Sequence, residues 1–249
     1  MIPEDDHPPA FKNAQTEKVE PMRKLSVVIP ALNEEQAIEA VVNAVPVSEL
    51  SEIGFEVQIL VVDNGSEDRT GELARKAGAE VVMEPERGYG RAYKTGFINA
   101  RGEIIATADA DSTYPVEDIP RLVAILESQG LDFVTTNRFA HLHQGAISSR
   151  NMFGNAVLNL TTRQLFRLSL RDSQSGMWVF RKDLLERLRL RSDGMPFSEE
   201  IKIEACHFAK CRWTEVPIEY RIRVGEAKLS GWRDGLHNLF YLIGKRFSR

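Results

Sequence analysis

The stretch Glu103-Ile104-Ile105-Ala106-Thr107-Ala108-Asp109-Ala110-Asp111 reads as a buried strand that ends in two carboxylates one small residue apart. In an open α/β sheet, ligands gather outside the carboxyl ends of the strands. Two carboxylates there, with no basic residue beside them, suit a hard divalent cation such as Mg²⁺ or Mn²⁺, of the kind that holds nucleotide phosphates. A solvated turn can carry the same Asp-x-Asp, so its weight depends on the segments around it.

Those segments repeat one pattern. Leu25–Pro30, Val57–Asn64, Ala79–Pro85 and Leu131–Arg138 are short runs rich in Val and Ile, expected as strands buried on both faces. Helical patterns over 69–78, 90–100 and 116–129 alternate with them, and Asn33 with Gln36 three residues on predicts a capped helix start. The alternation predicts βαβ units and a parallel sheet with right-handed crossovers. The second half predicts an amphipathic helix over 150–168, a strand at Met177–Phe180 and helices over 182–189 and 198–210. Strands at Arg212–Val216 and Ile218–Ile222 and a last amphipathic helix then follow. Residues 1–23, opening MIPEDDHPPA, are expected as a disordered tail, 24–231 as one domain and 232–249 as the C-terminal amphipathic helix.

Composition narrows the class. A net charge of −4 over 249 residues lacks the basic footprint of bulk nucleic-acid binding. Cys206 and Cys211 are too few for a disulfide framework and lack zinc-site spacing, which points to thiols in a reducing, cytoplasmic setting. No run of 18 apolar residues occurs, and the first residues have neither the basic start nor the apolar core of a signal peptide. In a parallel sheet, the ends of the first, second and fourth strands face one crevice. They bring together Pro30, Asn33 and Glu34, then Asp63, then Asp109 and Asp111. Each alone is ordinary turn chemistry; jointly they favour a nucleotide site.

In their order, Val27–Glu34, Val61–Thr70, Arg87–Ala92 and Ala108–Pro115 resemble family 2 glycosyltransferases of the GT-A fold. The branch they resemble is that of the dolichyl- or polyprenyl-phosphate mannose and glucose synthases, over residues 24 to 235. Asp172–Met177 resembles that branch's acidic loop, with Met177 in place of an aromatic and Trp178 next to it. Arg221–Ser230 resembles its basic loop, with Ala227 in place of Ser. Leu32 stands where many members carry Tyr, and Thr113 where many carry Gln.

The resemblance implies a GT-A, Rossmann-like α/β fold: a mostly parallel sheet with helices on both faces in a single domain. It implies inverting transfer of mannose or glucose from GDP-mannose or UDP-glucose to a polyprenyl or dolichyl phosphate, with Mg²⁺ or Mn²⁺. Pro30 and Glu34 would lie by the nucleoside and Asp63 on the base. Asp109 and Asp111 would be the catalytic, metal-holding pair, and Arg138 and Arg150 would hold the acceptor phosphate. Arg223 and Lys228 are candidates to add fixed positive charge to the diphosphate.

An acceptor phosphate is already anionic and needs no general base, which matches a chain whose His141 and His143 sit in a polar loop. Glu199 and Glu200 open a helix after Pro196, where they can complement its dipole or serve as base or acceptor contact. Two other readings stay open: a soluble glycosyltransferase with a hydroxyl acceptor, using Glu199 or Glu200 as base, and a non-catalytic nucleotide-sugar-binding subunit. A lipid acceptor needs a route to a membrane surface. Trp232, Leu236, Leu239, Phe240, Ile243 and Phe247, bordered by Arg233, His237, Lys245, Arg246 and Arg249, suit an interfacial helix or a terminal helix packed on the core. Met152, Phe153, Val157, Leu158 and Leu165 suit a second interfacial element. A partner membrane subunit is the other way to supply an anchor.

Overall fold

The apolar runs become the centre of a sheet in the computed structural model, which describes residues 22–225 and 231–247, the last without the side chains of 231–234. The expected tail up to residue 21, and Lys228, lie outside the described residues. Chain order is β1 (Arg23–Ala31), α1 (Ile38–Ala44), α2 (Val47–Glu52), β2 (Phe55–Asp63), α3 (Thr70–Lys76), β3 (Glu80–Met83), α4 (Tyr89–Asn99) and β4 (Ile104–Thr107). Then come α5 (Ile119–Ser128), β5 (Phe133–Leu142), α6 (Ser149–Phe166), β6 (Trp178–Arg181), α7 (Phe197–Lys202), β7 (Trp213–Tyr220) and α8 (Gly231–Phe247).

Among the described residues the strands form one sheet in the order β3-β2-β1-β4-β6-β5-β7. It is parallel except at β6, which runs antiparallel to both β4 and β5. The expected mostly parallel sheet is therefore present, and its β-branched runs are buried on both faces. Leu25, Val27 and Ile29 point into one core with Ile38, Leu122 and Val134. Val28, Leu60 and Val62 point into the other with Tyr93, Phe97, Trp178 and Phe197.

Three local readings need correction. Asn33 does not cap a helix: it takes a left-handed backbone (φ 50°), and α1 starts only at Ile38. Its side-chain oxygen instead accepts the Glu67 N–H at 2.7 Å, while its own N–H reaches Ser66 Oγ at 3.0 Å. The fourth strand stops at Thr107, so Ala108 to Asp111 form a loop. The two strands expected around Pro217 are a single strand, β7. It is the sheet edge, where a residue without an N–H is tolerated, and the register with β5 shifts between Asn137 and His141.

Helix α4 lies close on β1 and β2 because Gly96 faces them. A β-carbon there would overlap Val28 Cγ1 and stand 3.1 Å from Val62 Cγ2. Gly96→Val is expected to lower stability by about 1–3 kcal/mol through overpacking. Gly244→Ala in α8, where a β-carbon meets nothing within 4 Å, is expected to gain about 0.5–1 kcal/mol through lower backbone entropy in the unfolded chain. Urea midpoints of the two variants check the pair, and a neutral Gly96→Val would contradict the close packing.

Candidate functional site

The parallel register aligns Ala31 with Asp63 and Val28 with Thr107, so the ends of β1, β2 and β4 open on one side. Pro30 lies near the end of β1, Glu34 follows in the next loop, Asp63 closes β2, and Asp109 and Asp111 lie just beyond β4. Asp63 is buried. Its Oδ1 accepts the Ser66 N–H at 2.9 Å, and its Oδ2 faces Gly71, where a β-carbon would come within 2.6 Å.

Asp111 is also buried, with Oδ1 accepting from the Thr113 hydroxyl at 2.6 Å and the Thr113 N–H at 3.1 Å. Thr113 thus orients the carboxylate. Ser112 between them takes a left-handed φ of 64°, a conformation uncommon for a residue with a β-carbon. Asp109 faces the Tyr89 and Tyr93 hydroxyls at 3.4 and 3.5 Å, long for hydrogen bonds. Burial, with Asp111 beside it, pushes its carboxyl up to about 7. Gly176 makes the close approach possible: a β-carbon there would stand 2.5 Å from the Tyr89 hydroxyl and 3.2 Å from Asp109 Oδ1.

The loop after β7 is laced to the one after β4. Arg221 N–H donates to Thr113 O and Val224 N–H to Asp111 O, each at 3.0 Å. This places Arg223 between two carboxylates: it is ion-paired with Glu34, and its Nη1 is 3.0 Å from Asp111 Oδ2. The candidate for the ribose, the candidate for the metal and the candidate cation for the diphosphate thus meet at one point.

Arg138 and Arg150 share a cavity of about 290 Å³ with Asp111, Thr113, Gln174 and Arg223. Arg138 is buried and bound twice to Asp172, Nε to Oδ2 at 2.7 Å and Nη2 to Oδ1 at 2.9 Å. Burial works to raise the Asp172 carboxyl, but the guanidinium outweighs it and holds it below the ordinary range. Arg150 sits exposed near the start of α6, whose N-cap Ser148 accepts the Asn151 N–H at 3.3 Å.

Lys202 was not singled out from the sequence. It is fully buried, and its ammonium donates to the carbonyls of Asp172, Ser173 and Ser175 at 3.0, 2.9 and 2.7 Å. Burial lowers it to about 8. A lysine flanked in sequence by Ile201 and Ile203 is the signal for it. Glu200 proves structural: it accepts the Arg191 and Ser192 N–H groups at 2.9 and 2.8 Å and the Lys245 ammonium at 2.9 Å. Glu199 is fully buried beside the Gln174 and Asn238 amides, and burial pushes it up to about 8. His143 pairs with Glu219 at 2.6 Å on the surface.

The donor set fits a hard cation of one kind. No group of three or more His, Cys, Asp or Glu residues suited to a metal exists among the described residues. Asp109 and Asp111 offer two carboxylates whose mutual repulsion a divalent ion would relieve. Mg²⁺ characteristically takes one or two carboxylates and completes its shell with substrate phosphates and water.

Helices α6 and α8 present an apolar face. Phe153 is 73% exposed, Phe240 70% and Phe247 82%, with Met152, Val157, Leu160, Leu236 and Ile243 also exposed. The opposite faces are packed: Leu158 and Leu242 are buried, and Leu165 and Leu239 pack on the second core. Lys245 does not border the exposed face, because it is drawn inward onto Glu200 and Glu204. No described helix is long and apolar enough to cross a membrane.

Known proteins share this sequence pattern and fold. The family described as Glycosyl transferase family 2 matches residues 26–189. A low-salt glycan biosynthesis hexosyltransferase of Haloferax volcanii, Agl6, is 34% identical over 226 residues; they cover 88% of this chain but 53% of that protein, so the chain spans about half its length. A dolichyl-phosphate hexose transferase of the same organism is 32% identical, over 85% of this chain and 89% of that one. Glucosyl-3-phosphoglycerate synthase of Mycobacterium tuberculosis, solved with Mn²⁺, UDP-glucose and phosphoglyceric acid, superimposes with a TM-score of 0.70. It is 22% identical and covers 96% of this chain and 85% of that one, a likeness of fold.

Glu199 generates a pH prediction. Its folded carboxyl titrates at about 8 and an unfolded one near 4.3. The stability tied to its proton is complete below the unfolded value and is lost as pH rises toward the folded one. Glu199→Gln cannot ionise, so its stability relative to the parent should rise with pH between about 5 and 8, by about 1.4 kcal/mol per pH unit. Urea midpoints at three pH values in that window check this, and parallel curves would show that Glu199 is already charged at neutral pH.

Proposed function

The chain belongs to glycosyl transferase family 2, and from that premise we propose that it moves a hexose from a nucleotide-sugar to a polyprenyl phosphate with inversion. One observation carries the acceptor reading: Asp111 shares a single cavity with Arg138 and Arg150. Carboxylates that can hold a metal–diphosphate thus face guanidinium groups suited to a second phosphate. The dolichyl-phosphate hexose transferase and an undecaprenyl-phosphate sugar transferase among the relatives support the same acceptor class.

A phosphate oxygen of the acceptor attacks the anomeric carbon, the bond from that carbon to the donor diphosphate breaks, and the nucleoside diphosphate leaves. The attacking oxygen is already anionic, so no proton need be removed. That suits a site where burial keeps Glu199 protonated at neutral pH. Mg²⁺ or Mn²⁺ held by Asp109 and Asp111 would stabilise the charge that grows on the leaving diphosphate. Asp63 binds the base and Glu34 the ribose, beside Pro30. Arg223, now held by Glu34 and Asp111, exchanges those carboxylates for donor oxygens. Arg138, pinned by Asp172, and Arg150 orient the acceptor phosphate. The donor is GDP-mannose or UDP-glucose.

The exposed apolar face of α6 and α8 belongs against a lipid surface. Arg150, Asn151 and Gly154 of α6 and Gly235 and Asn238 of α8 line the cavity. A lipid-borne phosphate would therefore reach Arg150 along the helices that contact the bilayer. The chain works as a peripheral protein on the cytoplasmic side, in keeping with its free thiols Cys206 and Cys211.

Asp109→Ala and Asp111→Ala should each lower transfer by on the order of 10²-fold or more, and EDTA should abolish it in the parent. Full activity in EDTA would refute the metal role. Asp63→Ala should weaken donor binding in calorimetry and leave acceptor binding unchanged.

Arg150→Ala should raise KM for a polyprenyl phosphate in vesicles by about tenfold or more, the loss of a charge-assisted contact, with donor affinity intact. Equal turnover on a soluble hydroxyl acceptor, with no loss in Arg150→Ala, would favour a hydroxyl-acceptor enzyme instead. Phe153→Ser with Phe240→Ser should reduce co-sedimentation with anionic vesicles. Unchanged sedimentation would point to a membrane partner as the anchor.

A further inference from the structure

The cavity has one wall that the phosphate chemistry does not use. Asn238, on the inner face of α8, is 5% exposed. Its Nδ2 donates to Gln174 Oε1 at 3.1 Å, and its Oδ1 has no hydrogen-bond partner among the described residues. Gln174 is braced from the other side, its Nε2 donating to Ser173 Oγ at 3.0 Å. The Ser173 hydroxyl in turn donates to Asn159 of α6 at 2.7 Å. Both amides line the cavity that holds Asp111 and Arg138. Glu199 is buried directly beside both amides.

A buried acceptor left unpaired is costly and asks for an explanation. Here the unpaired acceptor is Asn238 Oδ1, and it stands beside the buried Glu199 behind a cavity wall. The elements that bring them there are far apart in sequence: the loop before β6, α7 and α8.

We propose that the Gln174–Asn238 amide pair determines sugar specificity, by hydrogen-bonding ring hydroxyls of the transferred hexose. The inference rests on the nucleotide-sugar reading of the same cavity. An amide offers both donors and an acceptor, as a hydroxyl does. The guanidinium groups of Arg138, Arg150 and Arg223 match phosphate oxygens and cannot accept a hydroxyl proton. The cavity thus carries a charged wall for the phosphates and a neutral wall for an uncharged polyhydroxylated ring. The unpaired Asn238 Oδ1 is the acceptor such a hydroxyl would complete. Glu199 is a positioning residue that acts through the amides. Sugar recognition thereby depends on α8 being docked, since Asn238 is carried by that helix.

The test uses the full chain and steady-state transfer to polyprenyl phosphate in vesicles. The donor is whichever of UDP-glucose, UDP-galactose and GDP-mannose turns over fastest, compared with its 2-, 3-, 4- and 6-deoxy analogues. The parent chain should reject at least one monodeoxy donor by about a hundredfold or more in kcat/KM, because a site built around a hydroxyl is left unpaired without it. In Asn238→Ala and in Gln174→Ala that discrimination should fall by about tenfold, with kcat/KM for the rejected analogue itself nearly unchanged. A purely structural role would lower all donors alike. Gln174 is partly exposed, so its variant decides the matter if Asn238→Ala does not fold. Unchanged discrimination in the folded variants, while the parent transfers hexose, overturns the inference alone. A parent chain that transfers from none of the three donors overturns the nucleotide-sugar reading and the inference with it.

Discussion

Asp172 is the buried charge on which the Arg138 side of the cleft depends. It has no exposure to solvent, and its carboxylate takes two bonds from the Arg138 side chain and one from the Arg138 N–H at 3.0 Å. A buried carboxylate is tolerable only when paired and hydrogen-bonded this fully. The same segment is gripped from below by Lys202 through three carbonyls. One guanidinium and one ammonium therefore fix the loop from Asp172 to Gly176. That loop supplies the wall beside Asp109, the brace for Arg138 and the Gln174 amide. Moving Asp172 would disturb all three.

Opposite charges hold the cleft in order. Arg223 spans Glu34 and Asp111, which otherwise would face each other as bare carboxylates. The buried pairs behind the cleft are of another kind. Lys245 lies on Glu200 and Glu204, clamping α8 to the segment that carries Glu199 and Lys202. That clamp gives α8 a definite orientation, with Asn238 turned in and Phe240 and Phe247 turned out.

The C-terminal helix has one face packed on the core and one apolar face exposed. Periodicity shows an apolar stripe along the helix; it does not say which part is covered. Lys245 illustrates why. In sequence it belongs with Arg246 as a basic border, whereas in the fold it is an inward charge, because Glu200 and Glu204 are stacked on its side. A lysine's long apolar stem allows either outcome, so only the neighbour decides.

The sequence by itself determined the sheet, its parallel order in the first half and the clustering of Asp63, Asp109 and Asp111 at strand ends. These follow from local rules: β-branched runs bury both faces, and right-handed crossovers bring successive strand ends to one side. Tertiary structure alone decided which polar residues are paired. Arg138 with Asp172, Arg223 with Glu34, Lys202 with three carbonyls and Asn238 with Gln174 are separated by 27 to 189 residues. Nothing in local spacing encodes such partners, because a charge or an amide is satisfied by whatever the fold sets within about 3 Å of it.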